Sequence, residues 1–370
     1  MSKPLKSGNC GEPAAAAVEK RVTVRDIARE LDLHFTTVAE ALRGSSRIKT
    51  KTQERVREAA TRMGYRPDPV MSALSSYRSR QMRGSYQGTL AWMNSFDSKD
   101  ILTTEQTFYG DCYRGGQQRA ESYGYKMEIF SINEPRMTGK RLSQVLKSRN
   151  IAGVIIGPMQ EITDSLDLDW AALNSVRIGY SLNDRRITTV ISDQFGNTQR
   201  VFEKLYNDGF RRIGFACPEY VDNRVRNNFS GAYLSGAYRY QRGVSIPLFM
   251  DEEPEGSSRA FLRWYRKYRP EVIMAGGRSM YYKFLVSEGV EVPQEVQFVA
   301  LHAEHLRSPV AGIYQNGMAV GGTAVDHLVA MIQRFKTGLE TFPKTTMIQG
   351  RWIDNKSYDP ALVKQTSKAV

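Results

Sequence analysis

Two histidines in the C-terminal part of the chain have a spacing that could allow both to bind one metal ion. His302 and His305 lie three positions apart, as two ligands on one face of a helix would. No third ligand stands nearby, and Pro309 indicates a loop instead of a helix. The sequence therefore predicts no metal site.

Patterns for catalysis are also missing. The pairs Gly276–Gly277 and Gly321–Gly322 are not followed by the Lys-Ser/Thr of a phosphate-binding loop. Ser235 and Ser257 lack the glycine spacing of a nucleophile elbow. With four histidines and no Cys–His setting, the chain has few groups for acid–base or nucleophilic work. We expect neither an enzyme nor a cofactor.

Positive charge is concentrated at the N-terminal end. The 370 residues carry a formal net charge of +13. Residues 1–83 hold 17 lysines and arginines against nine acidic residues, whereas the remainder holds 35 against 30. This asymmetry favours a nucleic-acid-binding head on a nearly neutral body.

Cysteine usage and hydropathy bear on the compartment. Cys10, Cys112 and Cys217 are widely spaced, which favours a reducing environment over a disulfide framework. No stretch approaches the roughly 18–20 apolar residues of a membrane span. The run Ala14–Ala17 is too short for the core of a signal peptide. These features predict a soluble, cytoplasmic protein with no membrane partner.

Three short helices are predicted in the basic head. Thr23 and Asp26 have the spacing of a capping box for the first helix, and Thr50 and Gln53 have it for the third. The second helix, Phe35–Leu42, follows the first after a tight turn. This order is typical of a helix-turn-helix, although periodicity alone also allows any small three-helix bundle.

A proline-started segment follows the third helix. Asp68 can act as its N-cap, and Pro69 suits the first helical position. The helix that they start has about two turns, which is too short to be stable alone in water. We expect it to fold only on DNA, as a hinge.

The head resembles the DNA-binding signature of the lactose- and purine-repressor family, the LacI type of bacterial transcriptional regulator. The matching residues keep the family's order and spacing without gaps: Asp26-Ile27-Ala28, Thr37-Val38, Ala41-Leu42, Arg47-Ile48, Arg55-Val56, Ala59-Ala60 and Gly64-Tyr65-Arg66-Pro67. Resemblance continues more weakly through the body to about Asp354.

The resemblance implies that the second helix enters the major groove, where Phe35, Thr36 and Glu40 face base edges. Because a carboxylate accepts hydrogen bonds, Glu40 favours a cytosine amino group, while Phe35 and the Thr36 methyl suit a thymine methyl. By the same match, further residues hold phosphates: Thr23, Arg25, His34, Thr37, Arg43, Arg47 and Lys49.

The hinge carries further implications of the resemblance. In the family, hinge helices of two subunits pair in the minor groove and insert a leucine between base steps. Leu74 matches that leucine, and Met71 stands where a small alanine is usual. Asp68 and Arg78 complete the predicted minor-groove set. The resemblance thus implies a homodimer on a pseudo-palindromic operator.

From Gly88 short apolar runs alternate with helical stretches, which is typical of parallel sheets covered by helices. The predicted strands are 89–93, 126–130, 151–156, 212–216, 272–274 and 297–301. Bodies of the family look like periplasmic sugar-binding proteins, so the resemblance implies two doubly wound lobes with a cleft between them.

The cleft departs from the family's sugar-binding pattern. Asn228 replaces an arginine three residues before Gly231, Gly276–Gly277 replaces an Asn-Asp pair, and His302 begins a stretch that replaces an acidic pair. A free pentose or hexose is therefore a poor candidate, although a carbohydrate derivative is not. The cleft is expected to receive Tyr180, Arg224, Asn228, Gly277, Arg278, His302 and Gln315. Such a set could bind an anionic or aromatic ligand, or line a cleft that no longer senses one.

We predict an all-α helix-turn-helix head with a hinge helix, joined to an α/β two-lobed body like a periplasmic binding protein. The expected boundaries are a disordered tail 1–20, the head 21–66, hinge and linker 67–86, the body 87–356 and a tail 357–370. Such a repressor would be nucleoid-associated when bound to its DNA operator and would answer a small-molecule effector in the cleft. The alternative is a carrier of a sugar-like molecule whose head is vestigial.

Overall fold

The computed structural model describes residues 22–42, 48–65, 86–96, 100–103, 107–134, 136–241, 243, 246–253, 257–277, 279–303, 310–334 and 337–362. The chain divides into two compact units, residues 1–72 and 73–370. Seven predicted site residues lie outside the described ones: Arg43, Arg47, Asp68, Met71, Leu74, Arg78 and Arg278.

Three helices form the described part of the N-terminal unit: α1 (Val24–Leu31), α2 (Phe35–Leu42) and α3 (Thr50–Arg62). Their apolar faces meet in one small core, as the helical spacing predicts. The side chains without exposed surface come from all three helices, namely Ile27, Val38, Ala41 and Val56. The three helices therefore form one packed bundle.

One of the two predicted capping boxes is correct. The Asp26 carboxylate accepts hydrogen bonds from the Thr23 backbone N–H at 2.8 Å and from the Thr23 hydroxyl at 2.6 Å. The capping box predicted for the third helix is wrong. Thr50 is the first residue of α3, so Lys49 occupies the N-cap position that Thr50 was expected to take. Gln53 instead donates to a carbonyl of the preceding turn at 2.8 Å, with its side chain buried.

Two six-stranded sheets form the body. The first contains β1 (Gly88–Asn94), β2 (Tyr125–Ser131), β3 (Ile151–Ile156), β4 (Ser175–Ile178), β5 (Thr188–Ser192) and β11 (Thr345–Ile348). The second contains β6 (Ile213–Pro218), β7 (Phe249–Asp251), β8 (Val272–Ala275), β9 (Gln297–Ala303), β10 (Ala311–Tyr314) and β12 (Arg351–Ile353). The strand orders are β11-β5-β4-β3-β1-β2 and β12-β10-β9-β8-β6-β7. All neighbouring strands are parallel except β10 and β12, as the predicted α/β body requires.

Helices cover both faces of each sheet, so successive residues of a strand pack on opposite layers. In β1, Leu90 and Trp92 belong to one hydrophobic core, and Ala91 and Met93 belong to another. The helices of the first lobe are α4 (Asp100–Thr103), α5 (Phe108–Ser122), α6 (Gly139–Ser148) and α12 (Gly317–Gln333). Those of the second lobe are α7 (Gln194–Asn207), α8 (Glu219–Arg224), α9 (Asn228–Tyr240), α10 (Ser258–Tyr268) and α11 (Met280–Ser287). Among the described residues, no helix has both the length and the apolar character to cross a membrane.

The chain passes between the lobes after β5, after β10 and between β11 and β12. Hydrogen bonds join the first of these crossings to the third. The Asn197 side-chain oxygen accepts from the Gly350 backbone N–H at 3.0 Å, and the Asp193 N–H donates to the Ile348 carbonyl at 2.8 Å. These two crossings are thus hydrogen-bonded to each other.

The packing of the body continues beyond residue 356, where the tail was expected to begin. Ser357 has no exposed surface, and its hydroxyl donates to the Phe298 carbonyl at 2.7 Å. Tyr358 packs in the core of the second lobe. These two residues therefore belong to the body.

Candidate nucleic-acid interface and ligand cleft

The side chains predicted to read bases lie on the outer face of α2, because Val38 and Leu42 turn the opposite face into the core. Phe35 keeps 45% of its surface exposed, Thr36 is exposed and Glu40 is half-buried. In the part of the chain that the structure describes, Glu40 has no hydrogen bond or ion pair. This carboxylate is therefore available to an external donor.

Neighbouring side chains order this face. His34 Nδ1 lies 2.7 Å from Thr36 Oγ1, and the His34 and Phe35 ring centroids are 4.6 Å apart. The Arg25 guanidinium of α1 lies 5.9 Å from the centroid of the Phe35 ring, within range of a cation–π contact. The exposed face of α2 thus depends on contacts from its own N-terminus and from α1.

The described phosphate candidates are all at the surface of the head. Thr23, Arg25, His34 and Lys49 are exposed, and Thr37 is half-buried. All five are accessible to a duplex, and their roles remain predictions.

The cleft residues follow the carboxyl ends of strands in both lobes. In the second lobe, Arg224 ends the helix after β6, Gly277 follows β8, His302 lies in β9 and Gln315 follows β10. In the first lobe, Tyr180 follows β4. Doubly wound sheets bind their ligands at this edge.

Two arginines of the second lobe contact the first lobe directly. The Arg224 guanidinium donates to the backbone carbonyls of Met159 and Gln160. The Arg226 guanidinium lies 4.4 Å from the centroid of the Tyr180 ring. Arg226 was not among the predicted cleft residues, although it precedes Asn228 by two positions. Tyr180 and Arg224 thus both lie at the lobe interface, and their contact with an effector stays a prediction.

A second set of contacts joins α5 to the other lobe. The Tyr314 hydroxyl donates to the Asp111 carboxylate at 2.6 Å, and the His302 ring packs edge-on against Phe108 with centroids 5.8 Å apart. His302 was predicted at the cleft, whereas Asp111 and Phe108 were missed.

The remaining predicted cleft residues have local partners. Gln315 is buried and donates from its side-chain amide to the Leu301 carbonyl at 3.3 Å. Asn228 is the half-buried first residue of α9. Gly277 has a φ of +77°, and a Cβ there would lie 3.1 Å from Pro218. Within the described part of the body, no hydrogen bond joins these three residues to one another.

Positive charge accumulates where the lobes meet. Arg177 of β4 is buried, and its Nε donates to Thr189 Oγ1 at 2.8 Å. Burial, followed by the nearby guanidinium of Arg226, lowers the pKa of Arg177 to about 10. Among the described residues, neither Arg224 nor Arg226 has a carboxylate within 4.0 Å. The same part of the chain contains no cluster of three or more His, Cys, Asp or Glu residues that could hold a metal ion. In the described part of this region, Arg224 and Arg226 thus carry positive charge with no carboxylate paired to it.

Sequence comparisons identify relatives of the whole chain. Residues 23–68 match the family model for bacterial regulatory proteins of the lacI family. The HTH-type transcriptional repressor PurR of Haemophilus influenzae is 20% identical over 341 residues, which are 87% of this chain and 94% of that protein. Catabolite control protein A of Staphylococcus epidermidis is 24% identical over 314 residues, 82% of this chain and 90% of that protein.

Solved structures share the fold at low identity. The lac repressor dimer bound to operator and the anti-inducer ONPF has a TM-score of 0.52 and 16% identity, covering 91% of this chain and 99% of that chain. The CelR–cellobiose complex has a TM-score of 0.55 and 17% identity, covering 91% of this chain and all of that chain. These matches support a head of the lacI family of bacterial regulatory proteins over residues 23–68, joined to a two-lobed body that shares the fold of the two solved structures.

Proposed function

We propose that this protein is a sequence-specific DNA-binding transcriptional repressor that occupies a pseudo-palindromic operator as a homodimer. The observation that carries the proposal is the outer face of α2, where Phe35, Thr36 and Glu40 stand accessible on a packed three-helix core. A helix that presents such groups reads base edges in the major groove, and a two-fold dimer requires two half-sites.

Glu40→Gln tests the proposed base readout. Glutamine keeps the size of the side chain but adds a donor, so the preference for a cytosine amino group should be lost. We expect discrimination at one base pair of each half-site to fall by about 1–3 kcal/mol, with other positions unchanged. Fluorescence anisotropy against duplexes that carry each base pair in turn measures this.

Glu58→Gln is the matched control, since Glu58 lies exposed on α3 and its substitution changes the net charge equally. A general rise in affinity in both variants reports only the lost negative charge. Unchanged base preference in Glu40→Gln would refute readout by Glu40.

We further propose that the effector is anionic, a carbohydrate derivative with a phosphate or carboxylate group being the preferred class. The support is the pair of Arg224 and Arg226, which contact the first lobe and lack a carboxylate partner among the described residues. Arg177 of the first lobe adds positive charge nearby, since its pKa is lowered by burial and then by the charge of Arg226. Guanidinium groups match phosphate and carboxylate in bidentate geometry. A neutral sugar carries no negative charge to balance the positive charge of these arginines.

Thermal unfolding of the full chain tests the ligand class, with each sugar phosphate or sugar acid compared with its neutral parent sugar. A ligand present at 100 times its Kd stabilises the folded state by about 2.7 kcal/mol, so a binding anion should raise the Tm by several degrees. The rise should disappear in Arg226→Ala and persist in Arg239→Ala, a surface arginine of α9. Stabilisation by the neutral sugars alone would overturn the proposal.

A further inference from the structure

We infer that Arg224 and Arg226 form a clasp that holds the two lobes closed without a bound ligand. The clasp consists of these arginines in the second lobe and of Met159, Gln160 and Tyr180 in the first. The inference concerns the cleft proposed above as the effector site and assigns it a built-in regulatory contact. It does not depend on DNA binding.

The turn that carries the clasp is rigid. Asp222, which is 1% exposed, accepts at Oδ1 from the backbone N–H groups of Phe229 and Ser230 at 3.1 and 3.2 Å. Its own carbonyl accepts from the Asn227 N–H at 2.8 Å. Arg226 has a φ of +57°, a left-handed conformation that these bonds hold in place. The turn therefore fixes the direction in which both arginines leave the second lobe.

The receiving side is fixed in the same way. The Met159 N–H donates to Ser181 Oγ at 2.8 Å, and the Gln160 N–H donates to Ser95 Oγ at 2.6 Å. The Gln160 N–H and the Met159 carbonyl belong to one peptide group, so the bond to Ser95 holds one of the two acceptors of Arg224, and the bond to Ser181 holds the peptide group before it. Tyr180 directly follows the Gly179 turn after β4. The guanidiniums thus meet preformed acceptors.

The balance of charges makes this closure reversible. Hydrogen bonds from a guanidinium are stronger than neutral ones, and the ring of Tyr180 adds a cation–π contact. Against this, Arg226 approaches the buried and like-charged Arg177. A ligand anion that pairs with Arg224 and Arg226 competes for the guanidinium groups that now contact Met159, Gln160 and Tyr180. The clasp is therefore the contact that such a ligand must replace.

The distance between the lobes can be measured by double electron–electron resonance in the full chain. Spin labels at Lys140→Cys on α6 and Lys283→Cys on α11 report on the two lobes, since both positions are exposed. Cys112 and Cys217 have no exposed surface and stay unlabelled, and Cys10→Ser removes the remaining thiol. An excess of unlabelled chain suppresses distances between subunits.

The ligand-free parent should give one narrow distance distribution. Arg224→Ala/Arg226→Ala should shift the majority of molecules to longer distances, and Arg224→Lys should give a partial shift because it keeps the charge but loses the two-pronged donor. Arg149→Ala, which removes an exposed ion pair with Glu128, should change nothing. Urea unfolding of each variant shows that the lobes remain folded.

A broad distribution in the parent, or an unchanged narrow one in the double alanine variant, would overturn the clasp. These distances are measured without DNA or ligand. The distance measurement therefore tests the clasp even if the protein binds no operator or no anion. Failure of the clasp can thus be distinguished from failure of the proposed function.

Discussion

Gly321→Ala is expected to destabilise the protein at the upper end of the about 1–3 kcal/mol that overpacking costs. A Cβ on Gly321 would lie 1.8 Å from the Cys112 carbonyl oxygen, and one on Gly115 would lie 2.0 Å from the Met318 carbonyl oxygen. Both obstacles are backbone atoms, so α5 and α12 must separate to admit a methyl group. The change should also disturb the contact between the lobes, because Asp111 in the first turn of α5 accepts the hydrogen bond from Tyr314 of the second lobe.

Gly322→Ala is the matched control on the same helix. A Cβ there would lie 3.7 Å from Arg119 Nε, an ordinary contact with a movable side chain. Alanine favours a helix over glycine by about 1 kcal/mol, so this variant should be neutral or more stable. Urea unfolding of both variants gives the comparison. Equal stabilities would contradict backbone contact between the two helices.

Val56→Asp is expected to unfold the head and abolish operator binding while leaving the body intact. Val56 has no exposed surface and lies in α3, away from the base-reading face of α2. Burying an unpaired carboxylate costs several kcal/mol, and a bundle of three short helices has little stability to lose. Specific affinity should fall at least 100-fold. Hydrogen exchange should show lost protection in residues 24–62 and unchanged protection in both sheets.

Glu58→Asp places an aspartate at an exposed position of the same helix and serves as the control. It should keep both the fold of the head and the affinity for DNA. If Val56→Asp bound DNA as the parent does with an unfolded head, DNA binding would have to reside in another part of the chain.

The head could be predicted from sequence because its signals are local. The predicted bounds of the second helix, Phe35–Leu42, are those of α2, and the Thr23–Asp26 pair correctly predicted where α1 begins. The second capping box failed because the spacing of Thr50 and Gln53 does not reveal which residue is the first helical one. Here Lys49 takes the cap position, and Gln53 turns into the core.

In the body, prediction succeeded for long apolar strands and failed for short polar ones. The six predicted strands are all present, and most of them are runs of buried apolar residues, although Lys126 and Glu128 of β2 are exposed. The strand β4 has only four residues, of which Ser175 and Arg177 are polar but buried. Arg177 is accommodated by partners such as Thr189, which sequence does not place beside it.

The cleft contacts were the least predictable part. Arg226 meets Tyr180 only because two lobes, formed by different stretches of the chain, approach each other in this pose. Gly321–Gly322 was considered only as a phosphate loop and rejected. Its packing role depends on the crossing of α5 and α12, and no local pattern encodes that crossing.

We propose that this chain reads a specific DNA sequence as a dimer. Selection of binding sites from a randomised duplex library by the full chain, at near-physiological salt, is the decisive test. A dimeric repressor should enrich a pseudo-palindrome with two half-sites related by a two-fold axis. A folded, dimeric protein that enriches no sequence, with and without the anionic ligands, would contradict it and favour the carrier with a vestigial head.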